Sequence, residues 1–399
     1  MKLVVYATAL FLMCGLQSSV AQESAMASGT NTFGVDLYQR LAGRPGNLFF
    51  SPASISTAFG MAYAGAKGQT AQEMAKVFHF DPSPRQVGAQ TARLLKQWNA
   101  PGEDRGYQLA VANALWGQQG YPFLPAFTTQ LQTDWGADLH TVDFKQTEAA
   151  RETINQWIEQ QTQDKIKDLI PSGGIDASVR LVLTNAVYFK AAWDEQFQPR
   201  ATQPAAFNLA DGKTVQVPMM HQMAIFAYLK GDGFAALGMN YARGKLSMIV
   251  FLPDKPDGLG EFEKSLSDQK LAGWIDELRR VRSTEVRVSF PKFKMTEELQ
   301  LSRELSKMGM GHAFGPGADF SAMNGGGEPL SLGEAFHKAF VDVNEEGTEA
   351  AAATAIGIRA TAMPALGATF TADHPFFFVI RDNESGTILF VGRLVNPQP

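Results

Sequence analysis

Cysteine is almost absent from this chain of 399 residues: the single one is Cys14. It sits inside an N-terminal leader in which Lys2 precedes an apolar run from Leu3 to Leu16, followed by Gln17, Ser18, Ser19, Val20 and Ala21. That order is expected of a secretory signal peptide spanning 1–21, cut before Gln22, with Ser19 and Ala21 as its small flanking residues. Met13 is bulkier than the residue that normally precedes a lipid-bearing cysteine, which argues against Cys14 as an anchor. The mature domain, 22–399, would then carry no disulfide, although export to the extracellular space or a periplasm permits them. Its stability has to come from a large core, which 45% apolar residues can supply.

Long hydrophobic runs are also missing. The leader is shorter than the roughly 20 apolar residues a membrane-spanning helix needs, and no later run approaches that length, so no membrane partner is expected. Positive charge is not in excess: a net charge of −5 with the signs mixed lacks the basic stripe of a nucleic-acid-binding protein. Between Arg85 and Lys96 the only other cation is Arg93, the pattern of a solvated helix face and not of a heparin site. No long Ser/Pro/Gly linker and no internal repeat divides the chain, which reads as one domain; a monomer is expected.

Catalytic signatures are lacking as well. There is no Gly-x-Ser-x-Gly elbow, no His-Glu-x-x-His helix and no Walker loop. Gly315-Pro-Gly317 and the run Gly325 to Gly327 have neither the lysine nor the strand-helix setting of a phosphate loop. His79, His140, His221, His312, His337 and His374 are scattered without metal-ligand spacing. No metal, no cofactor and no enzyme activity are expected.

What is present is an order of elements. Phe33, Leu37 and Leu41 recur at helical spacing, and Ser51-Pro52 opens a second helix carrying Ile55, Phe59, Met61 and Tyr63. Further helices are expected around Arg85 to Trp98, Pro125 to Thr133 and Glu148 to Gln163. Later runs rich in β-branched and aromatic residues predict strands at Leu181 to Phe189, Leu246 to Leu252, Glu285 to Phe290, Ala339 to Val343, Phe376 to Ile380 and Thr387 to Leu394. A mainly helical first third followed by strands points to an α+β fold and not to a doubly wound parallel sheet.

The segment Glu345 to Met363 fits neither pattern. It is small and almost uncharged, and lies between strand-like runs. An exposed alanine-rich helix is one reading. Taken in alternation, however, Thr348, Ala350, Ala352, Thr354, Ile356 and Ile358 fall on one face, while Glu349 and Arg359 share the other with Ala351, Ala353, Ala355 and Gly357. A strand of that pattern could enter a sheet with its uncharged side inward and both charges in water.

Several blocks along the chain resemble the serpin family. They are Asn47-Leu-Phe-Phe-Ser-Pro-Ala-Ser-Ile-Ser-Thr-Ala-Phe-Gly-Met, then Gly65-Ala-Lys-Gly-Gln-Thr and Met74; Thr184-Asn-Ala-Val-Tyr-Phe-Lys with Trp193; His337-Lys-Ala-Phe followed by Glu345-Glu-Gly-Thr-Glu-Ala-Ala-Ala-Ala-Thr-Ala; Phe370-Thr-Ala-Asp-His-Pro-Phe-Phe-Phe; and Phe390-Val-Gly-Arg-Leu-Val-Asn-Pro. The resemblance implies three β-sheets, eight or nine helices and an exposed reactive-centre loop at about 345–369. It further implies a suicide substrate: a serine protease cuts the loop, and while still bound as an acyl-enzyme is carried off as the loop inserts into the main sheet.

By the same resemblance, Glu345, Gly347, Thr348, Glu349 and alanines Ala350, Ala351, Ala352 and Ala353 form the hinge, the alanines marking an inhibitory member. Ser51, Ser54, Asn185 and His337 form a polar shutter under the sheet. Trp193 and Lys292, the latter pairing with Glu345, stand at the sheet's upper breach. Counting from Glu345 puts the scissile bond between Thr361 and Ala362; counting back from Asp373-His-Pro-Phe moves it towards Met363 or Pro364, where a bond before proline is a poor substrate. Small Thr361 and Ala360 suit an elastase-like target, and Arg359 is the rival for a trypsin-like one. A non-inhibitory serpin, acting as carrier or chaperone, and a secreted hydrolase are the alternatives. Asn383-Glu-Ser is a glycosylation sequon.

Overall fold

The computed structural model describes residues 25–81, 83–100, 106–348 and 367–398. The leader and residues 349–366 lie outside it, and with them Cys14, Glu349, Ala350 to Ala353, Arg359, Thr361, Ala362, Met363 and Pro364.

Fifteen strands are present among the described residues. In chain order they are β1 (Leu48–Phe50), β2 (Tyr107–Gln118), β3 (Leu139–Val142), β4 (Leu181–Ala192), β5 (Gln203–Asn208), β6 (Thr214–Lys230), β7 (Phe234–Tyr241) and β8 (Leu246–Pro253). Then follow β9 (Thr284–Pro291), β10 (Phe293–Gln300), β11 (Ala335–Val343), β12 (Gly347–Thr348), β13 (Ala368–Thr371), β14 (Phe376–Asp382) and β15 (Ile388–Leu394). One sheet runs β10-β11-β12-β4-β2-β3. The other strands form two sheets, β1-β15-β14-β8-β7-β6 and β5-β6-β9-β13, joined because β6 is 17 residues long and serves both.

The fold is α+β, as expected. The described residues hold ten α-helical segments, 25–41 among them, against the eight or nine anticipated; the surplus is short, since Ser321–Asn324 is a single four-residue turn. Helices do not all precede strands. The 12-residue β2 lies in the first third, and the helix Asp268–Arg280 lies among the later strands. The β2 sequence, Tyr-Gln-Leu-Ala-Val-Ala-Asn-Ala-Leu-Trp-Gly-Gln, lacks strict alternation because its last five residues are buried on both faces.

Two helices place the main sheet. Ser51 caps Pro52–Tyr63 by accepting a hydrogen bond from the Ser54 amide, with Pro52 in the first turn, and all twelve helix residues are buried. On the opposite side, Thr147–Gln161 sets Ile154 and Ile158 in a cluster with Val182, Ala186 and Phe336 of β4 and β11. Covered on both faces, β4 is almost uninterruptedly buried.

The candidate functional site: a seam between β4 and β11

Strands β4 and β11 run parallel and are hydrogen-bonded directly from Leu183–Ala335 to Tyr188–Phe340. Above that stretch they part, and β12 stands between them. β11 turns back through Glu345 and Glu346, with the Asn344 amide donating to Gly347 O at 2.8 Å, so that Val343 faces Thr348. Asn344 stabilises this turn by accepting from the Glu346 amide at 3.0 Å through Oδ1. On its other edge β12 pairs antiparallel with β4, Gly347 opposite Ala192 and Thr348 opposite Ala191. Gly347 and Thr348, the latter the first residue of the alternating segment, therefore already form a strand antiparallel to both neighbours. The loop, expected from 345, has its first four residues built into the sheet top, and Ala368–Thr371 at its far end forms β13 beside β9.

Gly347 is demanded by this geometry. Its φ is +152°, and an added Cβ would overlap the Ala191 carbonyl oxygen and lie 2.8 Å from Ala192 Cα. Thr348 is fully buried, and its Oγ1 shares a 2.8 Å hydrogen bond with the hydroxyl of Tyr241, also fully buried. Tyr241 stacks on Trp193, ring centroids 4.1 Å apart and planes 13° apart, and Trp193 Nε1 donates to Asn344 O at 3.0 Å. Lys292 Nζ meets Glu345 Oε2 at 2.7 Å while Thr202 donates to Oε1 at 2.7 Å. Burial by itself would raise the Glu345 pKa, but these hydrogen bonds and the lysine charge hold it below the usual carboxylate value.

Lower on the seam, one rung of the sheet is polar across three strands. Asn113 on β2 lies opposite Asn185 on β4, which lies opposite His337 on β11. The Ser51 amide donates to His337 Nε2 at 3.2 Å, which makes Nε2 an acceptor; Nδ1 therefore carries the proton and donates to Asn185 Oδ1. Asn185 Nδ2 in turn donates to Ser54 O at 2.9 Å, to Ser54 Oγ at 2.6 Å and to Asn113 Oδ1. Both imidazole nitrogens are thus committed to the neutral ring, and complete burial lowers the His337 pKa to about 3.

The structure thus brings Ser51, Ser54, Asn185 and His337 into one cluster, and Trp193, Lys292, Glu345, Gly347 and Thr348 into another. Sequence reasoning missed Asn113, Thr57 and Tyr241. Asn113 Nδ2 donates to Thr57 Oγ1 at 2.7 Å and to Ser54 O at 3.1 Å, joining β2 to the helix below. An asparagine inside an apolar strand was the available signal for it. Tyr241 had none, being 107 residues from its partner in the chain. The sequon residue Asn383 spends its amide nitrogen on Gly244 O at 3.0 Å and its oxygen on Ser247 and Arg381. Among the described residues no group of three or more His, Cys, Asp or Glu is placed to hold a metal ion.

Strands β4 and β11 thus pair directly along their lower stretch and part at the top around the two residues of β12. The chain belongs to the serpin family: the family model described as serine protease inhibitor matches residues 28–397. It is 41% identical to the human leukocyte elastase inhibitor over 382 residues, 93% of this chain and 99% of that one. It is also 41% identical over 384 residues to an uncharacterized serpin-like protein of Thermococcus kodakarensis, covering 94% and 87% of the two chains. Human thyroxine-binding globulin with bound hormone matches in structure with a TM-score of 0.84 and 30% identity over 95% of this chain and all of the other. Serpins of this kind act on serine proteases as inhibitors and are not enzymes.

Proposed function

We propose that the protein is an exported, monomeric inhibitor of serine proteases that traps its target covalently. The observation that carries this reading is β12, Gly347 and Thr348, seated antiparallel between β11 and β4 above a stretch where those strands still pair directly. Behind it, alanines Ala350 to Ala353 offer small side chains to the gap first, and the alternation to Ile358 keeps an uncharged face inward. Insertion of about a dozen residues would add ladder hydrogen bonds on both edges, at about 0.5–1.5 kcal/mol net each, or on the order of 10 kcal/mol in all. That is comparable with the stability of a whole domain, so a barrier and not equilibrium keeps the loop outside before cleavage.

The acyl-enzyme is trapped when insertion outruns deacylation and distorts the general base and oxyanion hole the protease needs. Cleavage between Thr361 and Ala362 suits an elastase-like primary pocket, consistent with resemblance to an elastase inhibitor; cleavage after Arg359 is the trypsin-like alternative. A carrier role like that of thyroxine-binding globulin is disfavoured by the small-residue hinge. No heparin-type cofactor and no nucleic acid is required, and the leader 1–21 directs the protein out of the cytoplasm.

Incubation with pancreatic elastase and with trypsin tests this directly. The expected product is a complex that survives boiling in SDS, with a C-terminal fragment whose first residue is Ala362; a fragment starting at Ala360 moves the target to the trypsin-like class. Protein cut in the loop by a protease it does not trap should melt on the order of 10 °C or more higher than intact protein. No gain in melting temperature on cutting ends the trapping reading.

A further inference from the structure

The hydroxyls of Tyr241 and Thr348 are the most deeply placed polar contact at the top of the seam: both residues are fully buried, and each hydroxyl is the other's hydrogen-bond partner at 2.8 Å. The ring of Tyr241 is fixed from one side by the Trp193 indole, itself tied to the hinge through Asn344 O. The end of β4 is in turn fastened to the β7–β8 turn: the Asp194 amide donates to Asn240 O at 2.9 Å, and the Asp194 carboxylate accepts from the Arg243 and Gly244 amides at 2.5 and 2.7 Å. Tyr241 is thus a fixed post beside the top of the seam, and what it grips is the first side chain of the inserting segment.

We propose that Tyr241 is a positioning residue that seats Thr348 in the sheet before any protease arrives, so that insertion continues an existing strand instead of nucleating one. The proposal rests on the trapping function above. Burial pushes the Tyr241 phenol well above its usual pKa, so the group stays protonated and the latch insensitive to ordinary pH. Losing either hydroxyl orphans the other in a dry site, which is costlier than losing both, because a buried polar group without a partner keeps its full desolvation penalty. Threonine and valine are near isosteres, as are tyrosine and phenylalanine, so each hydroxyl can be removed with the stack and the strand shape kept.

The test is a double-mutant cycle of Tyr241→Phe and Thr348→Val on the full chain, with two readouts. In uncut protein, amide hydrogen exchange of 344–348 should quicken about tenfold in each single variant, the factor for an orphaned buried hydroxyl, and return towards wild type in the double variant. Moles of inhibitor consumed per mole of elastase trapped should rise by about threefold in each single variant and recover in the double, since a slower first step lets deacylation compete. Unchanged exchange in Tyr241→Phe overturns the seating. So does strictly additive behaviour, which is what a merely structural tyrosine would give. If the exchange pattern is as expected but wild type traps neither elastase nor trypsin, the trapping function falls and with it the step that Tyr241 is said to begin.

Discussion

The two ends of the β4–β11 seam are held shut by different means. At the top, contact between the strands is already replaced by two inserted residues, and the surrounding clamp is an ion pair with Lys292 about one-third exposed, a hydroxyl pair and one stacked indole. In the middle, the strands bond directly, and a rung of Asn113, Asn185 and His337, anchored on Ser51 and Ser54, ties the sheet to the buried helix beneath. The top is where the two strands are already separated; the middle is where they are bonded to each other and to the helix below. If the loop inserts as proposed, the sheet should open from the top, and the rung should supply most of the barrier.

Lowering the pH from 7 should break that distinction most strongly, because it reaches the middle first, before the carboxylate at the top begins to titrate. His337 is neutral in the fold with a pKa of about 3, against about 6.5 unfolded. Between those values the unfolded chain binds the extra proton, so this residue's contribution is fully present above pH 6.5 and is lost as pH falls towards 3. The slope is about 1.4 kcal/mol per unit, or about 5 kcal/mol over the window. Urea midpoints measured from pH 7 to pH 4 should fall more steeply in wild type than in His337→Gln, by about one proton's worth. Equal slopes would mean that the imidazole is not locked in its neutral form, and the rung would lose its claim to be the barrier.

Replacing Gly347 by valine attacks the top alone. With φ at +152° and the β4 backbone against the missing Cβ, a branched side chain cannot remain in β12, and strain of this kind costs about 1–3 kcal/mol. The expected outcome is an evicted hinge with the lower seam intact: a melting temperature lower by only a few degrees, at about 1–2 °C per kcal/mol for a chain of this size, together with conversion from inhibitor to substrate. Retained trapping at wild-type stoichiometry would show that seating at the top does not matter.

Much of the lower seam was legible in the chain because its parts are local signals. Ser51-Pro52 is a helix start on any scale, and the β4 run from Leu181 is too apolar and β-branched to be anything but a buried strand. His337 and Asn185 stand out as polar groups inside such runs. The top was less legible. The alternation from Thr348 onwards indicated a strand that could enter a sheet, but two residues cannot announce that they are already in it; that depends on a turn at Asn344 and on a tyrosine beyond β4. Register is equally silent in sequence, so nothing local revealed that Asn113 would complete the polar rung, or that β6, interrupted by Pro218, would run on through two sheets.

The smallest effect separates the two ends by their response to salt. Glu345→Gln keeps the Thr202 hydrogen bond in reach but removes the charge facing Lys292. Because Lys292 is about one-third exposed, the pair should contribute only about 0.5–1 kcal/mol, and 0.5 M salt should erase part of that difference. The Glu345 pKa is depressed in the fold, so the pair's contribution is present above the unfolded carboxylate value near 4.5 and disappears as pH falls through the folded one, the opposite group from His337 but the same direction of loss. Thermal melts of Glu345→Gln at low and high salt should therefore converge on wild type at high salt, whereas His337→Gln stays displaced, since a fully buried network is barely screened. If Glu345→Gln lost as much as His337→Gln, and kept that loss at high salt, the top of the seam would be as firmly closed as the middle and insertion would have no preferred end from which to start.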